Sequence, residues 1–204
     1  MKFDMHLHTT QHSPDSIMRP AELVQRVRDI GLNGVVITEH DWLWTEEELE
    51  QLRKTAPELV ILAGVEVSTL EGHFLAYGIT DPFRLTPGIG VAKLCREVHR
   101  QGGVVVAAHP FRWGQPFGEI LREQQPELDG LEMMSSNMDQ GCRRLAAELV
   151  ASPQVGPLAQ LGNSDAHEAA TLGVCYTEFE TVVRTNAELV EAIRSRRCRP
   201  HAAA

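Results

Sequence analysis

The chain has 204 residues, enough for one domain with a sizeable core. Lys plus Arg number 19 and Asp plus Glu 28, a formal charge of −9, so a global basic surface for nucleic acid is absent, although a small basic pocket is compatible with it. Hydrophobic residues at 43% and charged residues at 23% exclude a disordered or fibrous chain, and no apolar run approaches the ~20 residues of a membrane span.

The opening Met1-Lys2-Phe3-Asp4 has no apolar signal-peptide core, which predicts a cytoplasmic protein. Lys2 to Leu7 reads as a strand. Alternation would put Asp4, His6 and His8 on one face and Phe3, Met5 and Leu7 on the other, under helices. Pro20 to Ile30 reads as a helix with Leu23, Val24, Val27 and Ile30 on one face and Gly31 as its stop. Gly34 to Thr38 is a buried-strand run. Thr45 and Glu48 form a capping box that opens a second helix. Leu59 to Val67 reads as a strand, with His73 to Tyr77 beside it.

The second half repeats the alternation. Ile89 to Arg100 is a helix and Val104 to Ala108 a strand. Glu119 to Gln124 is a short helix and Leu128 to Met133 a strand. Gln140 to Val150 is a helix with Leu145, Ala146 and Leu149 inward. Pro157 to Leu161 and Gly173 to Phe179 are strands, and Thr185 to Arg194 is a helix with a second Thr-x-x-Glu box. One domain, residues 1–195, is expected, followed by a mobile tail over 196–204. Such alternation implies a parallel sheet covered by helices, either a small barrel or an open doubly wound sheet. No GxGxxG or GxxxxGK[ST] element follows a strand. Cys95, Cys142, Cys175 and Cys198 lie far apart with no CxxC pair and read as free thiols.

Chemistry-bearing residues recur where apolar runs end. His6 and His8 follow the first. Thr38-Glu39-His40-Asp41 follows the second. Glu66 lies at the end of the third, with His73 soon after. Ala108-His109-Pro110 follows Val104-Val105-Val106, and Asn163-Ser164-Asp165-Ala166-His167 follows Pro157 to Leu161. Singly, each has a plain structural reading. His40 could cap a helix, Glu66 could face solvent on an edge strand, and Asp165 could be an N-cap. Together they converge, because C-terminal strand ends meet on one face in barrels and in open α/β sheets. Burying so many carboxylates and imidazoles is costly without a counter-charge. Divalent metals supply one, and imidazole with carboxylate but no thiolate suits Mn, Fe or Zn.

In order, DMHLHT, ITEHD, GVEVST with GHFLAYG, AHPFR and NSDAH resemble the motifs of the polymerase and histidinol phosphatase (PHP) family of metal-dependent phosphoesterases. The resemblance runs from Asp4 to His167, and Gly130-Leu131-Glu132 and Asn137 resemble the less defined segment between the last two motifs. It implies a distorted (β/α)7 barrel of the TIM-like kind with two or three divalent metal ions, and a free-standing member without extra modules. On that resemblance one metal is held by His6, His8, Glu66 and Asp165. Glu66 bridges to a second, held by His73 and His109. A third takes His40, His167 and Asp15 of the first loop, with His12 the alternative.

The implied reaction is hydrolysis of a small phosphorylated metabolite or short nucleotide by a hydroxide bridging two metal ions. Glu66 fixes the metal spacing and Asp165 orients the nucleophile or holds its proton. His40 and His167 are candidates for protonating the leaving group. Arg112, three residues after His109, is the leading phosphate ligand, and Arg19 is a second. Trp42, Trp44 and Trp113 sit where they could stack on an apolar or aromatic substrate group. Neither long nucleic acid nor membrane is expected as a partner. The competing readings are an amidohydrolase-type C–N hydrolase, disfavoured by the lack of lysine near the motifs, and a metal-binding module without catalysis.

Overall fold

The computed structural model describes residues 1–153 and 155–203. In chain order the elements are β1 (Lys2–Asp4), α1 (Pro20–Ile30), β2 (Gly34–Ile37), α2 (Glu46–Thr55), β3 (Val60–Ser68), β4 (His73–Tyr77), α3 (Val91–Arg100), β5 (Val104–Ala107), α4 (Phe117–Gln124), β6 (Gly130–Met134), α5 (Gln140–Ala151), β7 (Ala159–Gly162), β8 (Cys175–Phe179), α6 (Asn186–Arg194) and β9 (Cys198–Ala202). No helix among the described residues is long and apolar enough to cross a membrane.

Local chemistry sets the helix ends. Pro20 occupies the first turn of α1, and Glu22 reaches back to the Arg19 backbone. Gly31 then takes the left-handed conformation, φ 69°, that lets the chain leave the helix without a Cβ clash. Thr45 with Glu48 and Thr185 with Glu188 close capping boxes on α2 and α6.

The nine strands run in the order β7-β6-β5-β4-β3-β2-β1-β8-β9, and β7 and β9 at its ends also lie together, so the sheet nearly closes into a barrel. The all-parallel expectation is corrected at two places. β4 is antiparallel to both β3 and β5, and β8 is antiparallel to both β1 and β9. The β3–β4 link is a tight hairpin, which needs no crossover helix. Because β4 runs backwards, its first residue, His73, lies at the end where β3 finishes.

Inside the barrel Phe3, Met5, Val36, Leu62, Leu75, Tyr77, Val104, Val106 and Leu161 pack together. Leu189, Val190 and Ile193 of α6 join that cluster, so α6 closes the end opposite the ligands, and the Arg194 guanidinium donates to the Gly103 carbonyl at 2.9 Å. Outside, α1 and α2 cover β2 and β3, while α3, α4 and α5 cover β4, β5 and β6. Each fully buried Leu or Ile contributes roughly 1.5–3 kcal/mol through removal from water.

Three further expectations change. Of the three apolar side chains expected under helices, only Leu7 lies there, against Leu23, Val24 and Val27 of α1, while Phe3 and Met5 enter the barrel interior, so the face changes after Met5. There the Asp4 carboxylate, not a neighbouring strand, accepts the His6 amide at 3.4 Å. The tail is not patternless: Cys198–Ala202 form β9 against β8. Leu145 is 38% exposed, and Ala146 is the fully buried residue of α5. All four cysteines are free thiols.

Candidate metal centre

The segment carrying the first two histidines is laced between neighbouring strand ends. Leu7 exchanges backbone and side-chain hydrogen bonds with Thr38, and the His8 amide donates to the Ala166 carbonyl at 2.9 Å. Asp4 is buried beneath it and accepts amides from Ser164 at 3.0 Å and Gly173 at 2.9 Å. It is therefore a structural clasp between β1 and the 163–173 loop. Burial raises its carboxyl to about 6, against the pull of those hydrogen bonds.

Above this clasp His6, His8, Glu66 and Asp165 form a fully buried quartet. His6 Nε2 lies 3.2 Å from Asp165 Oδ1 and 3.3 Å from Glu66 Oε1. His8 Nε2 lies 3.2 Å from Asp165 Oδ1 and 3.3 Å from Glu66 Oε2. His6 Nε2, His8 Nε2, Glu66 Oε2 and Asp165 Oδ1 are all buried without a hydrogen-bond partner. Unpaired buried polar atoms are rare in folded proteins. Four converging from three segments are what a divalent cation satisfies, and the donor set is imidazole and carboxylate.

Glu66 is shared with a wider ring. Its Oε1 lies 2.9 Å from His73 Nδ1 and 3.1 Å from His109 Nε2, and its Oε2 lies 2.8 Å from His40 Nδ1. Farther out, Asp15 Oδ2 is 3.1 Å from His40 Nε2 and 3.3 Å from His167 Nε2. Thus the structure brings Asp15 together with the two histidines of the third expected ligand set. His12 is turned away. Its Nε2 is 2.8 Å from Glu48 and its ring stacks on Trp42.

Several ligand-bearing turns are held in a left-handed backbone that non-glycine residues avoid: Asp41 at φ 54°, His109 at φ 28° and Asp165 at φ 53°. Each such position costs about 1–3 kcal/mol, and strain of this kind collects where side-chain placement matters.

Two buried carboxylates position ligands, and their role was not assigned from the sequence. Glu132 accepts from His6 Nδ1 at 3.1 Å, the His109 amide at 2.7 Å and Asn163 Nδ2 at 2.8 Å. It fixes the His6 tautomer so that Nε2 faces the quartet. Glu39 accepts from the Thr9 amide at 3.0 Å, the Ser13 hydroxyl and the Trp44 indole at 2.9 Å, and Ser13 in turn meets His8 Nδ1 at 3.3 Å. Asn137 Nδ2 donates to Asp165 Oδ2 at 2.6 Å. The signal for Glu132 was a carboxylate inside an apolar strand buried on both faces.

Charge is balanced within the cluster. Burial works against ionised Glu66, but His6, His109 and His40 hold its carboxyl well below the usual range. Burial likewise works against Asp165, which His6 and His8 hold low. Burial disfavours protonated His6, yet Asp165, Glu66 and Glu132 raise it well above its usual value. His40 is opposed by burial and raised to about 9 by Glu66 and Asp15. In an ion-free cluster, protons on imidazole supply the positive charge that metals would otherwise bring.

The two arginines differ. Arg112 Nη1 stands 3.6 Å from Asp165 Oδ2, at the edge of the quartet. Arg19 is not brought to the site. Its guanidinium donates to Glu22 at 2.6 Å on an exposed helix start.

Residues 156–198 match the family model for the PHP-associated segment. An uncharacterised protein of Methanocaldococcus jannaschii is 25% identical over 147 residues, covering 67% of this chain and 82% of its own. Among solved structures, the fold is similar to a two-domain protein from Bacteroides vulgatus containing a predicted PHP-like metal-dependent phosphoesterase. That match has a TM-score of 0.74 at 19% identity and covers 99% of this chain and 64% of the other. It is also similar to an amidohydrolase from Chromobacterium violaceum with bound sulfate and no metal, TM-score 0.66 at 18% identity, over 94% of this chain and 96% of that one. Residues 156–198 are thus similar to the PHP-associated segment, and the nearly closed barrel is similar to the fold of these solved structures.

Proposed function

We propose that this chain is a metal-dependent hydrolase of phosphate esters, acting on a small phosphorylated metabolite or short nucleotide. The observation that carries this reading is the buried quartet, whose four unpartnered polar atoms converge next to a guanidinium. His6, His8, Glu66 and Asp165 would hold one ion, Glu66 with His73 and His109 a second, and His40, His167 and Asp15 a third. The donor set suits Mn, Fe or Zn. Divalent ions there would supply water ionised near neutral pH and would offset charge on the phosphoryl group.

The chain's own residues do the rest. Glu66, held ionised by its ring of imidazoles, sets the spacing of the ligand groups. Asp165 has one oxygen tied to Asn137, which fixes the orientation of the other. Arg112, 3.6 Å from Asp165, would bind a phosphoryl oxygen in bidentate fashion. His40 and His167, half-buried beside Asp15, would exchange protons with a leaving group. The charge of −9 disfavours long nucleic acid as substrate. Phosphate esters are favoured over amides because Arg112 provides an anion ligand beside the quartet.

Metal analysis of protein purified without chelator is the first test, with two or three equivalents of Mn, Fe or Zn expected. Phosphoesters and amides are then assayed side by side. Arg112→Ala should raise KM for phosphoesters about tenfold with metal content unchanged. Amide turnover without phosphoester turnover would reverse the reading.

A further inference from the structure

The loop between β5 and α4 presents its aromatic side chain in an unusual way. Trp113 is 85% exposed, yet its backbone sits at φ 55°, a left-handed conformation unfavourable for a bulky residue. The loop is pinned on both sides. Successive turns close it, from the Arg112 amide to the His109 carbonyl and from the Gly114 amide to the Phe111 carbonyl, each at 3.2 Å. The Phe111 ring packs edge-on against Phe117. The Gln115 side-chain Nε2 donates to the Glu71 carbonyl across the β3–β4 turn, where Gly72 at φ 136° leaves room that a Cβ would fill. An indole held outward by a pinned and strained turn is not a side chain left over from core packing.

One indole face is already used. The Arg112 guanidinium lies 3.9 Å from the ring centroid, while its Nη1 points at Asp165 Oδ2. The other face is open. The indole therefore adjoins the guanidinium that would take the phosphoryl oxygens.

We propose that Trp113 is a specificity-determining residue that selects phosphoesters carrying a planar aromatic ring in the alcohol half, by stacking that ring on its open face. This rests on the phosphoesterase reading above and deepens it. Arg112 recognises the phosphoryl group, and Trp113 recognises what it is attached to.

The test measures binding of non-hydrolysable phosphonates to metal-loaded full-length protein. 2-Phenylethylphosphonate and 2-cyclohexylethylphosphonate have the same charge and similar bulk, but only the first has a π face. The wild type should prefer the phenyl compound. Trp113→Ala should weaken it about tenfold and the cyclohexyl compound by less than about twofold, and Trp113→Phe should restore most of the loss. In parallel, Trp113→Ala should lower kcat/KM for a nucleoside 5′-monophosphate about tenfold, chiefly through KM, and that for ribose 5-phosphate by less than about twofold.

Equal loss for both phosphonates would show apolar contact alone and overturn the proposal. An equal loss on ribose 5-phosphate would reduce Trp113 to a support for Arg112 and also overturn it. Absence of any phenyl preference in the wild type overturns it while leaving metal-dependent turnover of ribose 5-phosphate intact. Absence of all phosphoester turnover instead marks failure of the underlying reading.

Discussion

The inner and outer halves of the histidine cluster are built on opposite terms. The inner quartet of His6, His8, Glu66 and Asp165 is buried and leaves four polar atoms without partners. The outer trio of Asp15, His40 and His167 is open to water, Asp15 being 54% exposed, and its members pair with one another. A buried polar atom without a partner costs about 1–3 kcal/mol, whereas an exposed pair can exchange its contacts for water at little cost. The inner site thus gains more from a cation than the outer one, which already pairs within itself. Metal should load inward first and be lost from the outside first.

Glu66 joins the two halves, so its removal tests the comparison most severely. Glu66→Ala deletes the carboxylate that faces His6, His8, His40, His73 and His109. Metal content should fall to one equivalent or fewer. Phosphoesterase activity should drop by more than the ~10²–10³ expected for losing a single charge-stabilising group. Retention of two equivalents with activity would mean the halves are independent and Glu66 is not shared.

The protonation of the cluster gives the next largest effect. His40 is raised from its ordinary 6.5 to about 9 in the ion-free protein, burial opposing and Glu66 and Asp15 prevailing. Below about pH 9 a metal must displace that proton, so apparent affinity should rise about tenfold per pH unit and flatten above it. Proton release on titration with Zn or Mn, measured calorimetrically in buffers of different ionisation enthalpy, checks the count. The stability sign follows from the same shift. A raised folded-state value stabilises the ion-free protein fully below pH 6.5, and that contribution is lost as pH rises to about 9. The Tm of chelator-treated protein should therefore fall across that window, while that of metal-loaded protein should not.

Legibility in the sequence followed a physical division between these parts. His6, His40, His109 and Asp165 stood out because each ends an apolar run, where a charged side chain has no packing reason to be. The capping boxes at Thr45 and Thr185 depend on three-residue spacing and were equally plain. Glu132 carried a weaker signal, since one polar residue within a strand looks the same whether it faces solvent or a buried imidazole, and Glu39, just past the end of β2, stood beside the more conspicuous His40. The antiparallel direction of β4 leaves no trace in period-two alternation, so the reason His73 reaches the site emerged only from the hairpin. Phe3 and Met5 escaped because alternation says which residues share a face, not whether helices or the barrel interior lie over it, whereas Leu7, beyond the point where the Asp4 carboxylate interrupts the ladder, does lie under α1. The tail over 198–202 escaped because Arg-Pro-His lacks strand propensity, and its pairing with β8 is imposed by barrel closure.

Support for the inner quartet can be weakened without touching a ligand. In Glu132→Gln the side chain keeps its size but offers one acceptor oxygen to three donors, the His6 ring, the His109 amide and Asn163. The amide nitrogen would confront one of them. His6 should lose its fixed tautomer, and metal affinity or activity should fall about 10–100-fold. Competition against a graded chelator series measures this, and an unchanged affinity would show that packing alone orients His6.

The mildest change separates the halves most cleanly. Asp15→Asn keeps the loop hydrogen-bonding capacity but removes the charge that faces His40 and His167. Metal content should fall by one equivalent, with the inner ions retained through chelator challenge that strips the outer one. Activity should fall about tenfold or less, because Arg112 and the inner ligands are untouched. The histidine at position 12 gives an internal control: it pairs with Glu48 rather than with the cluster, so His12→Asn should leave metal content where it was. If Asp15→Asn instead released every ion, the exposed trio would be the keystone of the site, and burial would not be what ranks its affinities.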